Sequence, residues 1–531
     1  MTGGLIWAYK ARQSQWEQWS NFLEDLKEIK GIFINPAREP SFAPLKTFST
    51  SVLAEAATRF QSESPASQGL HDSQKQLKML TPNLVELRLA QHQGSFKTMV
   101  GQGQKESSKK AGPGLIQGYS VNQLPSNNPI EDDLSRHVVR NEDGGIERLF
   151  FGVFDGHSGW CCSQKVAREL APSVAKELNL VKNSNDTKAV IEAIERGFMK
   201  LDHRIVHDSV QRVLEHPSQP LACASLLPAL SGSCALMAYV DTKANDLYIA
   251  CTGDSRAVMG VLESTSEGGH VWRAMPLSMD QTGRNKREVK RLQTEHPGEE
   301  NTVVMRGRVL GGLEPTRAFG DARYKWSKEI QDKVFALFPA YRKPPRNYKT
   351  PPYVTAKPVV RHHRIQPEDR FLVMATDGLW DKLTSDEVVQ LVGNLLDGKI
   401  GQEEMILDRE EIRRYRRKLA ALEATKESIG TDQQQEEDID EELTPPNLSP
   451  KGPANQVRKF TYKDHTNAST HLIRNALGGA DDDEVAATLS IPSPISRAYR
   501  DDITVTVIFF GPQDTTLALL DAYESGGFVD I

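Results

Sequence analysis

The sequence predicts an α+β sandwich, on three observations: apolar segments of strand length, amphipathic segments between them, and no strict alternation of the two. Segments rich in β-branched or aromatic residues and bounded by turn residues predict strands at 149–154, 233–240, 247–252, 370–376 and 503–510. Helical spacing predicts helices at 160–179 and 186–206, and another that opens at the capping residue Ser385. Because strands and helices mix without a βαβ rhythm, a sandwich is favoured over a doubly wound sheet.

Composition excludes several functions. The 531 residues carry a net charge of −6, so no overall basic field would attract nucleic acid or an anionic membrane. No uninterrupted apolar stretch approaches the roughly 18–20 residues of a membrane-spanning helix. The five cysteines are few and odd in number, which suits a reducing compartment better than a disulfide framework. Acidic or phosphorylated substrates would therefore be held locally, by metal ions or by a few cationic side chains.

Composition also divides the chain into segments. These are a presequence or disordered tail (1–75), a short segment with a flexible linker (76–114), one domain (115–511) and a C-terminal tail (512–531). Residues 41–62 are rich in hydroxyl groups and alanine and mildly resemble an organelle transit segment, although acids precede them and a plain tail is equally compatible. Residues 398–460 run from a charged helical pattern into an acidic, Gln- and Pro-containing stretch, which predicts a partly disordered insertion within the domain.

Acidic residues stand at the ends of several predicted strands. Asp155, Asp254 and Asp377 each follow a strand, and Asp501 precedes one. Because the end of one antiparallel strand lies beside the start of its neighbour, these acids can share one edge of a sheet. Further acids that could join them are Glu131, Asp132 and Asp381.

Such a cluster requires cations, because crowded carboxylates repel one another and would otherwise take up protons. Oxygen ligands favour magnesium or manganese over zinc, and two such ions suit in-line attack of water on a phosphoryl group. Gly156 lets the backbone approach closely, so a carbonyl can serve as a ligand, and His157 could protonate the leaving oxygen. A single Asp-Gly after a strand is usually only a turn, so the prediction depends on the whole set.

A thiol mechanism is the alternative that the residues raise. Cys162 and Arg168 match the C-x5-R spacing of cysteine-dependent phosphatases. The residues between them contain no glycine and have helical spacing, and on a helix six positions put the two side chains about 240° apart. Buried structural cysteines are therefore the better prediction for Cys161 and Cys162.

The motifs "FGVFDGHSG", "TGDSRAV", "TRAFGD", "MATDGLWD" and "RDDITVTV", in this order, resemble the metal-dependent serine/threonine protein phosphatases of type 2C. The resemblance covers roughly 120–511. It implies two central, mostly antiparallel sheets with helices on both outer faces, in α-β-β-α layers, and a two-metal site at one end of the sandwich.

The resemblance also implies a role for each acid. The family's bridging acid falls on Asp155, its carbonyl ligand on Gly156, and its other direct metal ligands on Asp377 and Asp501.

The remaining site positions match residues that act less directly. Glu131 and Asp132 match acids that hold metal-bound water, and His157 matches the proposed general acid. Asp254 and Asp381 match acids near a third, weaker divalent ion.

Three positions depart from the family pattern. Asn127 stands where most members carry an arginine that grips the substrate phosphate, and an amide can donate hydrogen bonds but brings no charge. Asp502 replaces the usual asparagine of the last motif, and Ser158 stands where many relatives have glycine. Asn127 is kept as a candidate phosphate ligand, with the metals carrying more of the binding.

Within the family, "SVNQLPSNNPIEDD", "YKTPPYVTAKP" and "NASTHLIRNALGG" resemble the pyruvate dehydrogenase phosphatase branch, which shares the asparagine. The branch implies a serine phosphatase of the mitochondrial matrix that acts on the E1 α subunit of pyruvate dehydrogenase. It also implies two partners, a regulatory subunit and the lipoyl domain of dihydrolipoyl acetyltransferase, the latter docked with calcium. A matrix phosphatase of broader specificity and a noncatalytic scaffold with the same fold are the alternatives.

Overall fold

Two antiparallel sheets form the centre of the fold. The computed structural model describes residues 78–97, 115–217, 220–266, 268–337, 343–406, 457–464 and 466–511. All of these except Lys78 and Met79 belong to one unit, Leu80–Tyr523. The strands are β1 (Gly94–Lys97), β2 (Ile116–Leu124), β3 (Asp133–Arg140), β4 (Ile146–Phe154), β5 (Gly156–His157), β6 (Gly232–Ser233), β7 (Ala235–Asp241), β8 (Asp246–Thr252), β9 (Arg256–Ser264), β10 (His270–Pro276), β11 (Val304–Met305), β12 (Arg308–Val309), β13 (Phe319–Gly320), β14 (Val359–Arg364), β15 (Asp369–Ala375), β16 (Gln402–Ile406), β17 (Val457–Thr461) and β18 (Ile503–Phe510).

One large sheet has six strands in the order β1-β2-β18-β15-β9-β10, and the other has five in the order β14-β8-β7-β4-β3. Every neighbouring pair in both sheets is antiparallel. The last strand, β18, lies in the middle of the six-stranded sheet, between β2 and β15. The C-terminal strand is therefore part of the centre of the sheet rather than an edge.

Helices cover both outer faces of the sandwich. They are α1 (Pro82–Ala90), α2 (Cys161–Leu178), α3 (Thr187–His203), α4 (Ser209–Glu215), α5 (Pro220–Leu230), α6 (Lys286–Glu295), α7 (Lys328–Leu337), α8 (Asp377–Trp380), α9 (Ser385–Leu396), α10 (Ala468–Leu477) and α11 (Asp482–Ser490). The pair α2 and α3 packs with the five-stranded sheet, whereas α1, α9, α10 and α11 pack with the six-stranded sheet. The predicted α+β class with α-β-β-α layers is confirmed.

Strand β4 shows why the sequence makes this sandwich. Side chains alternate between the two faces of a strand, so Phe150 and Phe154 join the helix-facing core, while Leu149, Phe151 and Val153 join the core between the sheets. All five are buried. Each such side chain contributes roughly 1.5–3 kcal/mol through burial, so a nearly continuous apolar strand is what a layer covered on both faces requires.

The predicted helices are confirmed, with one correction. Helices α2 and α3 match the predicted ranges, and α9 spans Ser385–Leu396. Ser385 is not the N-cap of α9, because the side chain of Thr384 accepts the hydrogen bond from the Glu387 N–H. The Glu387 carboxylate in turn accepts one from the Thr384 N–H, and the two bonds form a capping box.

The folded unit begins earlier than the predicted domain boundary at residue 115. Val85 and Leu89 of α1 are buried in the core against the six-stranded sheet, and β1 pairs with β2. The linker predicted up to residue 114 falls mostly on 98–114, outside the described residues, as do the predicted tails 1–75 and 512–531. The segment 76–114 thus contributes a helix and an edge strand to the domain.

The ends of the insertion at 398–460 are ordered as a ribbon, because β16 pairs with β17 in antiparallel register. Residues 407–456 lie outside the described part of the chain, so the prediction of disorder there stays a prediction. Within the described ranges, every helix is too short or too polar to cross a bilayer.

Candidate metal centre

Three aspartates from separate strands meet at one end of the sandwich. Asp155 follows β4, Asp254 follows β8, and Asp377 follows β15 as the first residue of α8. One carboxylate oxygen of each lies within 4.8 Å of the others. Strands β4 and β8 belong to the five-stranded sheet and β15 to the six-stranded sheet, so both layers of the sandwich supply the group.

The electrostatics of this group fit a divalent cation. Burial, followed by the charge of Asp377, raises the pKa of Asp254 to about 8, and burial and the charge of Asp381 raise that of Asp377 to about 6. Burial and Asp377 also raise the pKa of Asp155 well above its usual range, and Asp377 is hydrogen-bonded to Asp155. Buried acids that repel one another in this way are stabilised by a cation, and an all-oxygen ligand set suits magnesium or manganese.

Gly156 lets two backbone segments approach closely, and the role of its carbonyl as a metal ligand stays a prediction. A Cβ atom at this position would clash with the carbonyl oxygen of Glu131 and would also crowd the Ser163 hydroxyl. Ser163 Oγ donates a 2.5 Å hydrogen bond to the same carbonyl. The absence of a side chain at residue 156 therefore lets the strand β5 and the loop before β3 pack against each other.

Glu131 and Asp132 lie on that loop and are held by hydrogen bonds. Oδ2 of Asp132 accepts bonds from the hydroxyls of Thr376 (3.0 Å) and Thr504 (2.8 Å), and Oε1 of Glu131 accepts one from the Gly159 N–H (2.9 Å). Burial raises the pKa of both acids, and the charge of Asp502 adds to the rise at Asp132. Because Thr376 directly precedes Asp377, Asp132 is tied to the three-acid group.

Asn127 is hydrogen-bonded within the protein, and its role as a phosphate ligand stays a prediction. Its amide Nδ2 donates a 2.9 Å hydrogen bond to Oδ2 of Asp502, and its backbone N–H donates to Oδ1 (2.8 Å). The same carboxylate accepts from the N–H groups of Ser126 (2.5 Å) and Glu131 (2.9 Å). The structure thus gives the Asn127 amide a partner inside the protein, and Asp502 organises the loop that carries Glu131.

His157 pairs with an acid to which the sequence analysis gave no role. Nε2 of His157 lies 2.6 Å from Oδ2 of Asp321. Burial opposes protonation of the ring, but the charge of Asp321, its hydrogen bond to the ring, and the charges of Asp254 and Glu131 together outweigh burial and raise the pKa of His157. Asp321 ends the motif "TRAFGD" in the left-handed conformation, with φ 48°. The sequence signal that could have singled it out is an acid that directly follows Phe-Gly at the end of this motif.

Among the described residues, Asp501 and Asp381 are not part of the group whose carboxylate oxygens lie within 4.8 Å of one another. The Asp501 carboxylate pairs with the guanidinium of Arg497. The backbone N–H of Asp381 donates a 2.7 Å bond to the Asp377 carbonyl, and its charge adds to the rise in the pKa of Asp377. Asp254, which the resemblance places near a third, weaker ion, lies within the three-acid group.

Cys161 and Cys162 do not form a thiolate site. Cys162 is buried in α2, while Arg168 lies on the exposed side of the helix and donates to Gln164. Burial raises the pKa of the Cys161 thiol to about 11 and that of Cys162 further. Neither thiol is activated, and the prediction of structural cysteines is supported.

Comparison with known proteins agrees with this geometry. The family model for protein phosphatase 2C matches residues 128–429. A protein phosphatase 2C homologue of Schizosaccharomyces pombe is 42% identical over 401 residues, 74% of this chain and 80% of the relative. The mitochondrial [pyruvate dehydrogenase [acetyl-transferring]]-phosphatase 1 of Saccharomyces cerevisiae is 39% identical, covering 76% of this chain and 70% of the relative. The human protein of the same name is 33% identical, covering 81% and 83%.

The family model matches more than half of the chain and the relatives are more than 30% identical, so the chain belongs to the protein phosphatase 2C family. The sandwich of two antiparallel sheets with buried acids at one end is consistent with that membership. It is therefore a metal-dependent protein serine/threonine phosphatase. The family depends on magnesium or manganese, and the acid group of this chain fits that requirement.

Proposed function

We propose that this chain hydrolyses phosphoserine on the E1 α subunit of pyruvate dehydrogenase, in the mitochondrial matrix, and so reactivates the complex. The convergence of Asp155, Asp254 and Asp377 is the observation that carries the catalytic part of the proposal. The names of the yeast and human relatives, which cover three quarters or more of this chain, support the substrate and the organelle.

The site residues divide into groups under this proposal. Asp155, Asp377 and Asp501, with the Gly156 carbonyl, would hold two magnesium or manganese ions. When bound, these ions supply positive charge that offsets the phosphoryl oxygens and makes water more acidic. Glu131 and Asp132 would position water, and their hydrogen bonds to Gly159, Thr376 and Thr504 support that role.

Asp254 and Asp381 were predicted to serve a third, weaker ion. The position of Asp254 among the three acids supports a role close to the first two ions. The charge of Asp381 acts on Asp377, which supports a place for Asp381 near the same centre.

His157 would deliver the proton that the leaving serine oxygen needs. The Asp321 carboxylate favours the protonated ring and fixes its orientation through Nε2, so Nδ1 is the atom that would donate. Asp321 is therefore proposed as a positioning residue.

A direct comparison of substrates tests the proposal. The full-length protein would be offered phosphorylated pyruvate dehydrogenase and an unrelated phosphoprotein side by side with manganese, with and without a chelator. We expect chelator-sensitive release of phosphate that is faster from pyruvate dehydrogenase. Equal rates on both would favour the broader-specificity alternative, and no release from either would favour the noncatalytic scaffold.

The docking partners belong to the same proposal. Binding of the lipoyl domain of dihydrolipoyl acetyltransferase would be measured with calcium and with a calcium chelator, and the regulatory subunit would be added to the turnover assay. Calcium-independent or absent binding of the lipoyl domain would remove that partner from the proposal.

A further inference from the structure

The site lacks its expected cation at position 127. A phosphoryl group that binds beside several carboxylates is held more strongly when a cationic side chain donates hydrogen bonds to it, in addition to the metal ions. The Asn127 amide brings no charge, and it already donates to Asp502. A phosphate-binding cation, if the chain has one, must therefore come from another element.

The 3₁₀ turn Ile495–Ala498 brings Arg497 to this place. Ser496 Oγ donates a 2.6 Å hydrogen bond to the carbonyl of Ser126, the residue before Asn127. The turn that carries Arg497 is thus fixed to the loop whose next residue is Asn127.

The guanidinium of Arg497 lies beside the acids. It pairs with Asp501, four residues along the chain. Glu131, Asp155 and Asp377 are also near enough for the positive charge of Arg497 to act on each of them. Its charge therefore acts on acids from the loop before β3, the end of β4 and the start of α8.

Arg497 is also accessible, in contrast to neighbouring cations. Its side chain keeps 37% of its surface exposed. Arg256 is buried, with its guanidinium bound to Asp280 and placed over the Trp380 ring, and Arg500 is buried, with Nη1 donating to the Pro125 carbonyl.

We propose that Arg497 binds the phosphoryl group of the substrate, in the role that an arginine at position 127 has in most members of the family. The planar guanidinium offers paired N–H groups that match two phosphoryl oxygens, and its contact with Asp501 places it beside the acids. This inference rests on the proposed phosphatase function and names the residue that recognises its substrate.

Calorimetric titration of inorganic phosphate into the manganese-loaded full-length protein tests the assignment without turnover. We expect Arg497→Gln to weaken phosphate binding about 10-fold to 100-fold, as removal of a charged double hydrogen bond should. Its manganese affinity should be unchanged or tighter, because a positive charge has been removed from beside the acids. Lys382→Gln is the matched control, since Lys382 donates to the Tyr499 carbonyl near the same turn and its loss also removes one charge.

Several results would overturn the assignment. They are unchanged phosphate affinity in Arg497→Gln, equal weakening in Lys382→Gln, or a wild-type protein that binds no phosphate at millimolar concentration. If Arg497→Gln fails to fold, Arg497→Lys replaces it: we expect about 3-fold to 10-fold weaker binding because the planar fork is lost, and wild-type affinity would contradict the proposal. The wild-type phosphatase assay fails or succeeds independently of these titrations, so the two proposals can be separated.

Discussion

The side chains of Asn127 and Asp502 are bonded to each other, and both are positions at which this chain departs from the pattern of its family. Nδ2 of Asn127 donates to Oδ2 of Asp502 over 2.9 Å. In total the buried Asp502 carboxylate accepts one amide and three backbone hydrogen bonds. The two departures therefore form one local arrangement that fixes the loop of Glu131 and Asp132.

Asp502→Asn should destabilise the protein. Each carboxylate oxygen of Asp502 now accepts two hydrogen bonds, and the substitution replaces one of these oxygens with an NH₂ group, which cannot accept them. Two N–H groups would lose their acceptor, which should lower the free energy of unfolding by about 2–4 kcal/mol. Urea unfolding monitored by fluorescence measures this, and a loss below about 0.5 kcal/mol would contradict the account. The double variant Asn127→Arg/Asp502→Asn restores both family residues and should lose less than the sum of its single variants.

Gly378→Ala should disrupt the start of α8. A Cβ there would clash with the carbonyl oxygen of Asp502, which is backbone and cannot rotate away. Overpacking of this kind typically costs about 1–3 kcal/mol, and it would also displace Asp377. Gly269→Ala is the control, because its new methyl would meet only the flexible Thr265 hydroxyl. Equal stability and turnover in the two variants would sink this prediction.

Replacing the thiols should spare catalysis. The double variant Cys161→Ser/Cys162→Ala should cost about 1–2 kcal/mol of stability through a small cavity, yet keep most of the phosphopeptide turnover. Loss of turnover in the cysteine variant at a temperature where it remains folded would revive the thiol alternative.

Asp155→Asn should lose at least about 10²-fold in turnover, as expected when a preorganised charge is removed.

Stability should fall in acid partly through His471. This buried ring donates through Nε2 to the Leu391 carbonyl (3.2 Å), and Nδ1 faces the Asn475 amide (3.3 Å), so the neutral form is favoured. Burial lowers its pKa to about 4. Because the pKa of His471 in the folded state lies below the ordinary value of 6.5, the neutral ring stabilises the folded protein fully above pH 6.5. This stabilisation, up to about 3 kcal/mol, is lost as the pH falls toward 4.

The variant His471→Gln isolates that contribution. Glutamine can keep the bond to the Leu391 carbonyl but does not titrate. Denaturant unfolding of wild type and variant between pH 7 and pH 4 should therefore show a steeper loss of stability in the wild type. Parallel curves would show that His471 does not titrate as described.

The sequence predicts the layers and the acids because both depend on local patterns. The apolar run 149–154 matches the end of β4, and the acid that follows it, Asp155, reaches the metal centre. Hydrogen bonds between residues far apart in the sequence could not be predicted in this way, because they depend on where the fold directs each side chain. The Asn127 amide turns to Asp502, 375 residues away, and nothing near Asn127 in the sequence indicates that partner.

Two other differences have the same cause. The apolar positions Val85 and Leu89 of α1 are too few to predict a core helix, and their burial depends on the distant six-stranded sheet. The pairing of His157 with Asp321 joins elements 164 residues apart, and the motif of Asp321 shows a turn but not the partner. In each case the tertiary contact, rather than the local pattern, decides the role of the residue.

The central claim is that folding gathers acids from distant strands around metal ions. The most direct test is to titrate manganese into the wild-type protein and into Asp155→Asn, and to measure the free ion by electron paramagnetic resonance. We predict that the wild-type protein binds manganese and that Asp155→Asn, still folded by circular dichroism, loses at least one site. Equal stoichiometry and affinity in the two proteins would contradict the account.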